Sequence, residues 1–309
     1  MNENKISALC EAIDKSVRND CSEDISVSFS GGIDSTLVAF LAKKYKNVEL
    51  IAVGLKNSHD LEAAKSASKI INLKVKVKEV SPDDFISEGL ILQKKLSLSQ
   101  FEVGFMLPFW IAAKNATNPI LMCGQGADEL FGGYARFREV NKKINLKKEV
   151  SDLLKIIPKR ETKIAKIFGL KLSCPYLSTS VIEAASVFSQ EEHIGEIGKE
   201  QLRKAAIKLG LNKDIALRKK KAAQYGSGSQ KILKKAMKYE VKFNLNFESK
   251  AIAESIKKAT DPENEGWVES SIDSHILKAS VKAISMGSLR EAAEDFMACV
   301  SVAENILKK

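Results

Sequence analysis

The chain has 309 residues, 44 % of them apolar, and a formal charge of +10 from 49 basic and 39 acidic side chains. That length suits one large domain, or a main domain with a smaller appendage, and the apolar share is enough for a full core. No apolar run reaches the roughly 20 residues of a membrane span, and Met1-Asn2-Glu3-Asn4-Lys5 lacks the cationic-then-apolar layout of a secretory signal.

Ile6, Leu9, Cys10, Ile13 and Val17 recur at helical spacing and predict a first helix over 6–17. Ile25 to Phe29 predicts a strand, 34–44 a helix with a polar start, and 48–53 a second strand. A helix over 59–71 follows, with Ser58 as its N-cap, and then an alternating strand over 73–80. Residues 83–95 and 103–115 read as helices, and Pro119 to Cys123 as a short buried strand. This alternation predicts a parallel sheet with helices on both faces. Right-handed crossovers place all strand C-termini on one edge, so the loops after Phe29 and Cys123 are expected to open there together. From Tyr134 onward the helical pattern dominates. The fold class is therefore α/β, followed by a mostly helical C-terminal part. The expected division is a main domain over 1–230 and a helical extension over 231–309, serving as a cap or an interaction surface.

Cys10, Cys21, Cys123, Cys174 and Cys299 are scattered and form no C-x-x-C pair. That argues for reduced thiols in a cytoplasm, against a disulfide framework and against a zinc site. Cys123 reads as core packing. No metal or catalytic role falls to His59, His193 or His275, for which surface or capping positions are expected. The basic excess is mostly lysine, over 142–171 and 199–238. It reads as solvated helix faces, as a match for an anionic substrate, or as a polynucleotide surface. Nucleic acid thus stays open as a partner; a membrane does not.

Two loops carry the chemistry. Ser30-Gly31-Gly32-Ile33-Asp34-Ser35 lies between a strand and a helix. Gly31 and Gly32 let the backbone close around an oxyanion, the helix start adds its positive end, and Ser30 and Ser35 add hydroxyl donors. No Walker lysine follows. Gly124-Gln125-Gly126-Ala127-Asp128-Glu129-Leu130-Phe131-Gly132-Gly133-Tyr134 is the second loop. Four glycines and an Asp-Glu pair in so short a span are hard to explain by packing. Gly124 and Gly126 open the backbone, and Asp34 and Asp128 together suit Mg²⁺, which takes carboxylate and phosphate oxygens. The pair of loops reads as a site that holds ATP and cleaves between its α- and β-phosphates.

These motifs resemble the synthetase domain of the glutamine-hydrolysing asparagine synthetases and of the related β-lactam synthetase, within the N-type ATP pyrophosphatase (PP-loop) superfamily. The resemblance runs over roughly residues 4 to 230 and implies an adenine nucleotide alpha-hydrolase-like fold. It implies that Ala52-Val53-Gly54-Leu55 flanks adenine, with Val53 against the base. It identifies Arg218 to Gly228 with the family's lysine loop and Lys220 with its catalytic lysine, a fixed cation for charge developing at the α-phosphorus. Lys199-Glu200-Gln201-Leu202-Arg203 resembles the family's Lys-x-x-Leu-Arg helix, whose lysine faces phosphate.

Two departures stand out. The family's glutaminase half begins with a cysteine after the initiator methionine; here Asn2 stands there, and no glutaminase half is expected ahead of the first strand. Gln125 stands where asparagine synthetases carry a glutamate. A neutral amide orients a nucleophile but takes no proton, so Glu102 or Glu129 is expected to serve, or the nucleophile arrives neutral, or the acceptor is not ammonia. On this reading Gln125→Glu should raise ammonia-dependent turnover. The stretch from Phe101 to Trp110 reads either as core or as an acceptor pocket.

The resemblance implies an ATP-dependent, AMP-forming amide synthetase that activates a carboxylate, aspartate by resemblance, and passes the acyl group to ammonia or an amine. A separate glutaminase subunit and a homodimer are its open partners. A PP-loop enzyme that adenylates tRNA, or a non-catalytic nucleotide-binding subunit, are the alternatives.

Overall fold

The structure is a computed structural model and describes residues 2–138, 145–218, 226–236, 238–264 and 268–307. It falls into two compact units, Met1–Val80 with Pro108–Ser227, and Ser81–Leu107 with Gly228–Lys309.

The first unit is built on five parallel strands, β1 (Ile25–Ser28), β2 (Val48–Gly54), β3 (Val75–Glu79), β4 (Ile120–Met122) and β5 (Lys171–Ser173), in the order β3-β2-β1-β4-β5. Ile25 pairs with Val48 on one side and with Ile120 on the other, so β1 is central and its residues are buried on both faces. The one polar residue buried completely there, Ser26, donates to Glu49 Oε2 at 2.7 Å, as a buried hydroxyl must. Helices cover both faces. Leu9, Ile13 and Val17 of α1 (Asn2–Asp20) and Leu37 and Leu41 of α2 (Ile33–Ala42) join Ile25 and Val27 in one core. α3 (His59–Ile70) packs on β2. Ser58 is its N-cap position, yet the hydroxyl makes no capping bond.

The strand order reverses between β1 and β4. The chain leaves the two strands in opposite directions, and the crevice that opens between their C-terminal loops is where open α/β sheets bind ligands. β5 has no apolar signature: Lys171 is exposed on an edge strand of three residues, and only its ladder to β4 reveals it.

The second unit corrects the expected division. Residues 81–107 belong with the C-terminal part rather than with the sheet of the first unit. The chain from Tyr134 onward is mostly helical, but 231–309 is not a helical extension. It holds an antiparallel sheet of β6 (Tyr239–Asn246), β7 (Val268–Asp273) and β8 (Ile276–Ala283), in the order β6-β8-β7, with two helices, Lys250–Asn264 and Met286–Leu307. Val241, Phe243 and Leu245 face a core with Leu277, Val281, Phe296 and Val300, while Lys242, Asn244 and Asn246 alternate outward. That period of two is diluted by charge, which is why the stretch reads as solvated helix. Inside the helix Gln100–Lys114, Pro108 has no N–H to offer the carbonyl of Gly104. Ser229 Oγ donates to that carbonyl instead, at 2.7 Å. Val103, Met106, Leu107 and Trp110 are buried, as packing of the 101–110 stretch requires.

Candidate active site

The two loops meet because β1 and β4 are neighbours. After Phe29 the chain turns through Gly31, whose φ of +72° is left-handed; a Cβ there would lie 2.4 Å from the Ala63 backbone. Ser35 Oγ closes the turn against the N–H of Ser30 at 3.3 Å and the Gly32 carbonyl at 3.4 Å. Gly32 caps α2 without a side chain, leaving the helix start open to an anion. Gly124 lies against Asp34: a Cβ at Gly124 would stand 2.7 Å from Asp34 Cβ. Gly126, at φ +90°, leads into the short helix Ala127–Phe131, which carries Asp128 in its first turn. Val53 lies in β2 two residues beyond Ile51, the partner of Ser28, and so at the same edge as the first loop.

Between the loops sits Lys199. Its ammonium donates to both Asp34 oxygens at 2.6 Å and lies 2.8 Å from Asp128 Oδ1. Lys199 is only 1 % exposed. Burial lowers its pKa below the ordinary lysine value, and the Asp34 carboxylate works against that shift. Family likeness directs Lys199 toward phosphate; its bridge between the two acids is visible only in the fold. The Lys-x-x-Leu-Arg spacing explains how the lysine is held. Leu202 enters the core one turn on, and buried Arg203 donates to the carbonyls of Gly198 and Ala216 at 2.7 and 2.5 Å. Lys199 itself adopts φ +61° as the N-cap of the helix Glu200–Lys208, an uncommon conformation for a side-chain-bearing residue. Tyr176 adds support from below, its hydroxyl donating to the Asp34 carbonyl at 3.0 Å.

Gln125 donates its side-chain amide to Glu161 Oε1 at 2.7 Å. Glu161, the first residue of the helix Glu161–Ile167, is fully buried and takes two further bonds on Oε1 from Arg160, at 3.0 and 2.6 Å. Among the described residues, Glu161 Oε2 has no hydrogen-bond partner. Glu161 is thus the carboxylate in direct contact with Gln125. Glu102 Oε2 accepts from the N–H and hydroxyl of Ser99 at 3.0 Å each, which ties it to the start of its own helix. Glu129 accepts the Tyr134 hydroxyl at 2.5 Å, and burial raises its carboxyl pKa. No motif in the chain flags Glu161, since it stands 36 positions beyond Gln125 and only the fold joins them. His193, expected at the surface, is buried between the rings of Phe131 and Phe188 with Nε2 3.0 Å from the Ala185 carbonyl, a core position.

Lys220 lies outside the described residues. Arg218 Nη1 donates to the carbonyls of Gly31 and Ala63 at 3.4 Å, and the Ser227 carbonyl accepts from the N–H of Leu55 at 3.0 Å.

The asparagine synthase family model matches residues 8–163. The chain belongs to the asparagine synthase family. It is 30 % identical over 275 residues to a protein of Methanocaldococcus jannaschii that bears the name of a glutamine-hydrolysing asparagine synthetase, covering 75 % of this chain and 50 % of that protein. Asparagine synthetase (glutamine-hydrolysing) 2 of Lotus japonicus is 26 % identical over 226 residues, covering 64 % of this chain and 38 % of its own length. The chain thus spans half or less of these curated relatives. Among solved structures, NMN synthetase from Francisella tularensis overlaps 62 % of this chain and 94 % of its own, with 16 % identity and a TM-score of 0.30. No helix among the described residues is long and apolar enough to cross a membrane.

Proposed function

We propose that this member of the asparagine synthase family is an AMP-forming amide synthetase: a carboxylate attacks the α-phosphorus of ATP, pyrophosphate leaves, and ammonia or an amine opens the acyl-adenylate. The observation that carries this reading is the convergence of Asp34 and Asp128, from loops after neighbouring strands, on a single cation.

Two oxygen-donor carboxylates that flank one ammonium beside an open helix start suit Mg²⁺, which is held by one or two carboxylates plus substrate phosphates. Asp34 and Asp128 would hold it, and when bound it neutralises charge on the departing pyrophosphate. The remaining work falls to the chain. Ser30, Gly31, Gly32 and Ser35 offer donors to the phosphates, and Lys199 adds a fixed positive charge beside them. Val53 lines the base side of the site. By family likeness Lys220 supplies the cation at the α-phosphorus, and Arg218 and Ser227 on either side of the undescribed stretch are bonded to Gly31 and Leu55. Gln125 orients the incoming nitrogen, and Glu161 accepts its proton. Aspartate as the acid, ammonia as the acceptor and a cytoplasmic setting follow from the family likeness. A separate glutaminase subunit and a homodimer are partners consistent with it.

The test is pyrophosphate release from ATP across a panel of carboxylates, with and without ammonia. Release with aspartate that vanishes in Lys220→Ala supports the reading. ATP binding with no release for any acid would return the chain to a nucleotide-binding role.

A further inference from the structure

The bridging position of Lys199 bears on how metal reaches the site. Its ammonium makes contacts of 2.6–2.8 Å with the same two carboxylates that the proposed function gives to Mg²⁺. A magnesium ion bound to those oxygens at about 2.1 Å would fill the volume the ammonium fills now. The two cations also repel, and at contact distance in a buried site that repulsion is not screened. The lysine has little room to retreat. Gly133 is packed against its stem, so that a Cβ there would stand 2.2 Å from Lys199 Cε, and Arg203 fixes the preceding turn through the Gly198 carbonyl. The backbone N–H of Lys199 is bonded to the Phe131 carbonyl at 3.2 Å. A swivel of the side chain within the crevice is what remains.

We propose that Lys199 stands in for the divalent cation in the nucleotide-free protein, and that nucleotide admits the metal by giving the ammonium a phosphate partner. This rests on the reading of Asp34 and Asp128 as the metal's ligands. Without nucleotide, two carboxylates and one ammonium leave a single negative charge for a dication to meet. With a polyphosphate in the loop, the ammonium gains acceptors outside the acid pair, and both carboxylates are released to the metal. Metal and nucleotide therefore bind as a unit, and metal alone binds poorly.

Mn²⁺ serves as the probe, its free concentration followed by electron paramagnetic resonance. The wild-type chain should bind Mn²⁺ weakly by itself and strongly with α,β-methylene-ATP. Lys199→Met should tighten binding of Mn²⁺ alone by about tenfold or more, since the resident cation is gone. No gain in Lys199→Met, while Asp34→Asn and Asp128→Asn lose Mn²⁺ binding with the analogue, overturns this proposal and spares the metal reading. Unchanged binding in both Asp variants overturns the metal reading as well. Should Lys199→Met not fold, the wild-type protein still decides. Mn²⁺ alone should leave its thermal midpoint within about 1 °C, and Mn²⁺ with the analogue should raise it by about 4 °C or more. An equal rise with Mn²⁺ alone overturns the proposal.

Discussion

The side-chain amide of Gln125 donates to Glu161 Oε1 at 2.7 Å, and the other oxygen of that buried carboxylate accepts nothing among the described residues. The carboxylate absent from position 125 is thus present against its side chain, at the start of the helix Glu161–Ile167. Removing its charge while keeping its shape tests the role directly. Glu161→Gln should lower amide formation by about 100-fold and leave ATP–pyrophosphate exchange near the wild-type level, because a proton acceptor acts only after activation. Equal loss in both assays would make Glu161 a structural residue.

The same contact revises the expectation for Gln125→Glu. A carboxylate at 125 would face the Glu161 carboxylate, whose Oε1 already carries the Arg160 guanidinium as its counter-charge. One of the two acids should then hold its proton well above the usual range. A folded pKa above the unfolded one means stability lost as pH rises between them. Gln125→Glu should match the wild type near pH 4 and fall about 2 kcal/mol below it at pH 8, read by urea denaturation across pH. A pH-independent difference would show that the two acids do not interact.

Gly31 and Gly169 both have left-handed backbones, at φ +72° and +71°. They differ in what a methyl group would meet: at Gly31 the Ala63 backbone, 2.4 Å away, and at Gly169 nothing within 4 Å among the described residues. Gly169→Ala should cost about 1–2 kcal/mol from backbone strain alone. Gly31→Ala adds a clash with main chain and should cost at least about 3 kcal/mol, with ATP binding lost. Comparable thermal midpoints for the two variants would mean that the first loop is not packed on α3.

Glu129 is buried and its carboxyl pKa is raised, chiefly by burial, with the Tyr134 hydroxyl stabilising the ionised form. Its contribution therefore turns unfavourable as pH climbs from its unfolded value through its folded one. Tyr134→Phe removes the hydroxyl and should raise the Glu129 pKa further. The variant should lose about 1–2 kcal/mol at pH 7 and little near pH 4, measured by chemical denaturation. A loss of equal size at both values would point to packing of the ring rather than to the hydrogen bond.

Much of the first unit is legible along the chain. The apolar runs at Ile25–Phe29, Val48–Val53 and Ile120–Cys123 announce strands because a parallel sheet buries both faces. Ser30 to Ser35 and Gly124 to Tyr134 announce two tight turns because close backbone approach demands glycine. β5 escapes notice because an edge strand of three residues needs no apolar face. The sheet over 239–283 escapes because its outward positions are lysine, asparagine and glutamate, which mimic a solvated helix. Neither Glu161 nor the bridge made by Lys199 has a local signal, since each is defined by a residue far away in sequence.

Local chemistry in the sequence therefore determined the four leading strands of the parallel sheet, the two glycine-rich turns and the acids at 34 and 128, because spacing and residue type act over a few positions. Tertiary structure alone decided which groups face one another. The reversal of strand order between β1 and β4 sets one ammonium between two acids and one buried carboxylate behind an amide, and such pairings arise only when distant segments are packed together.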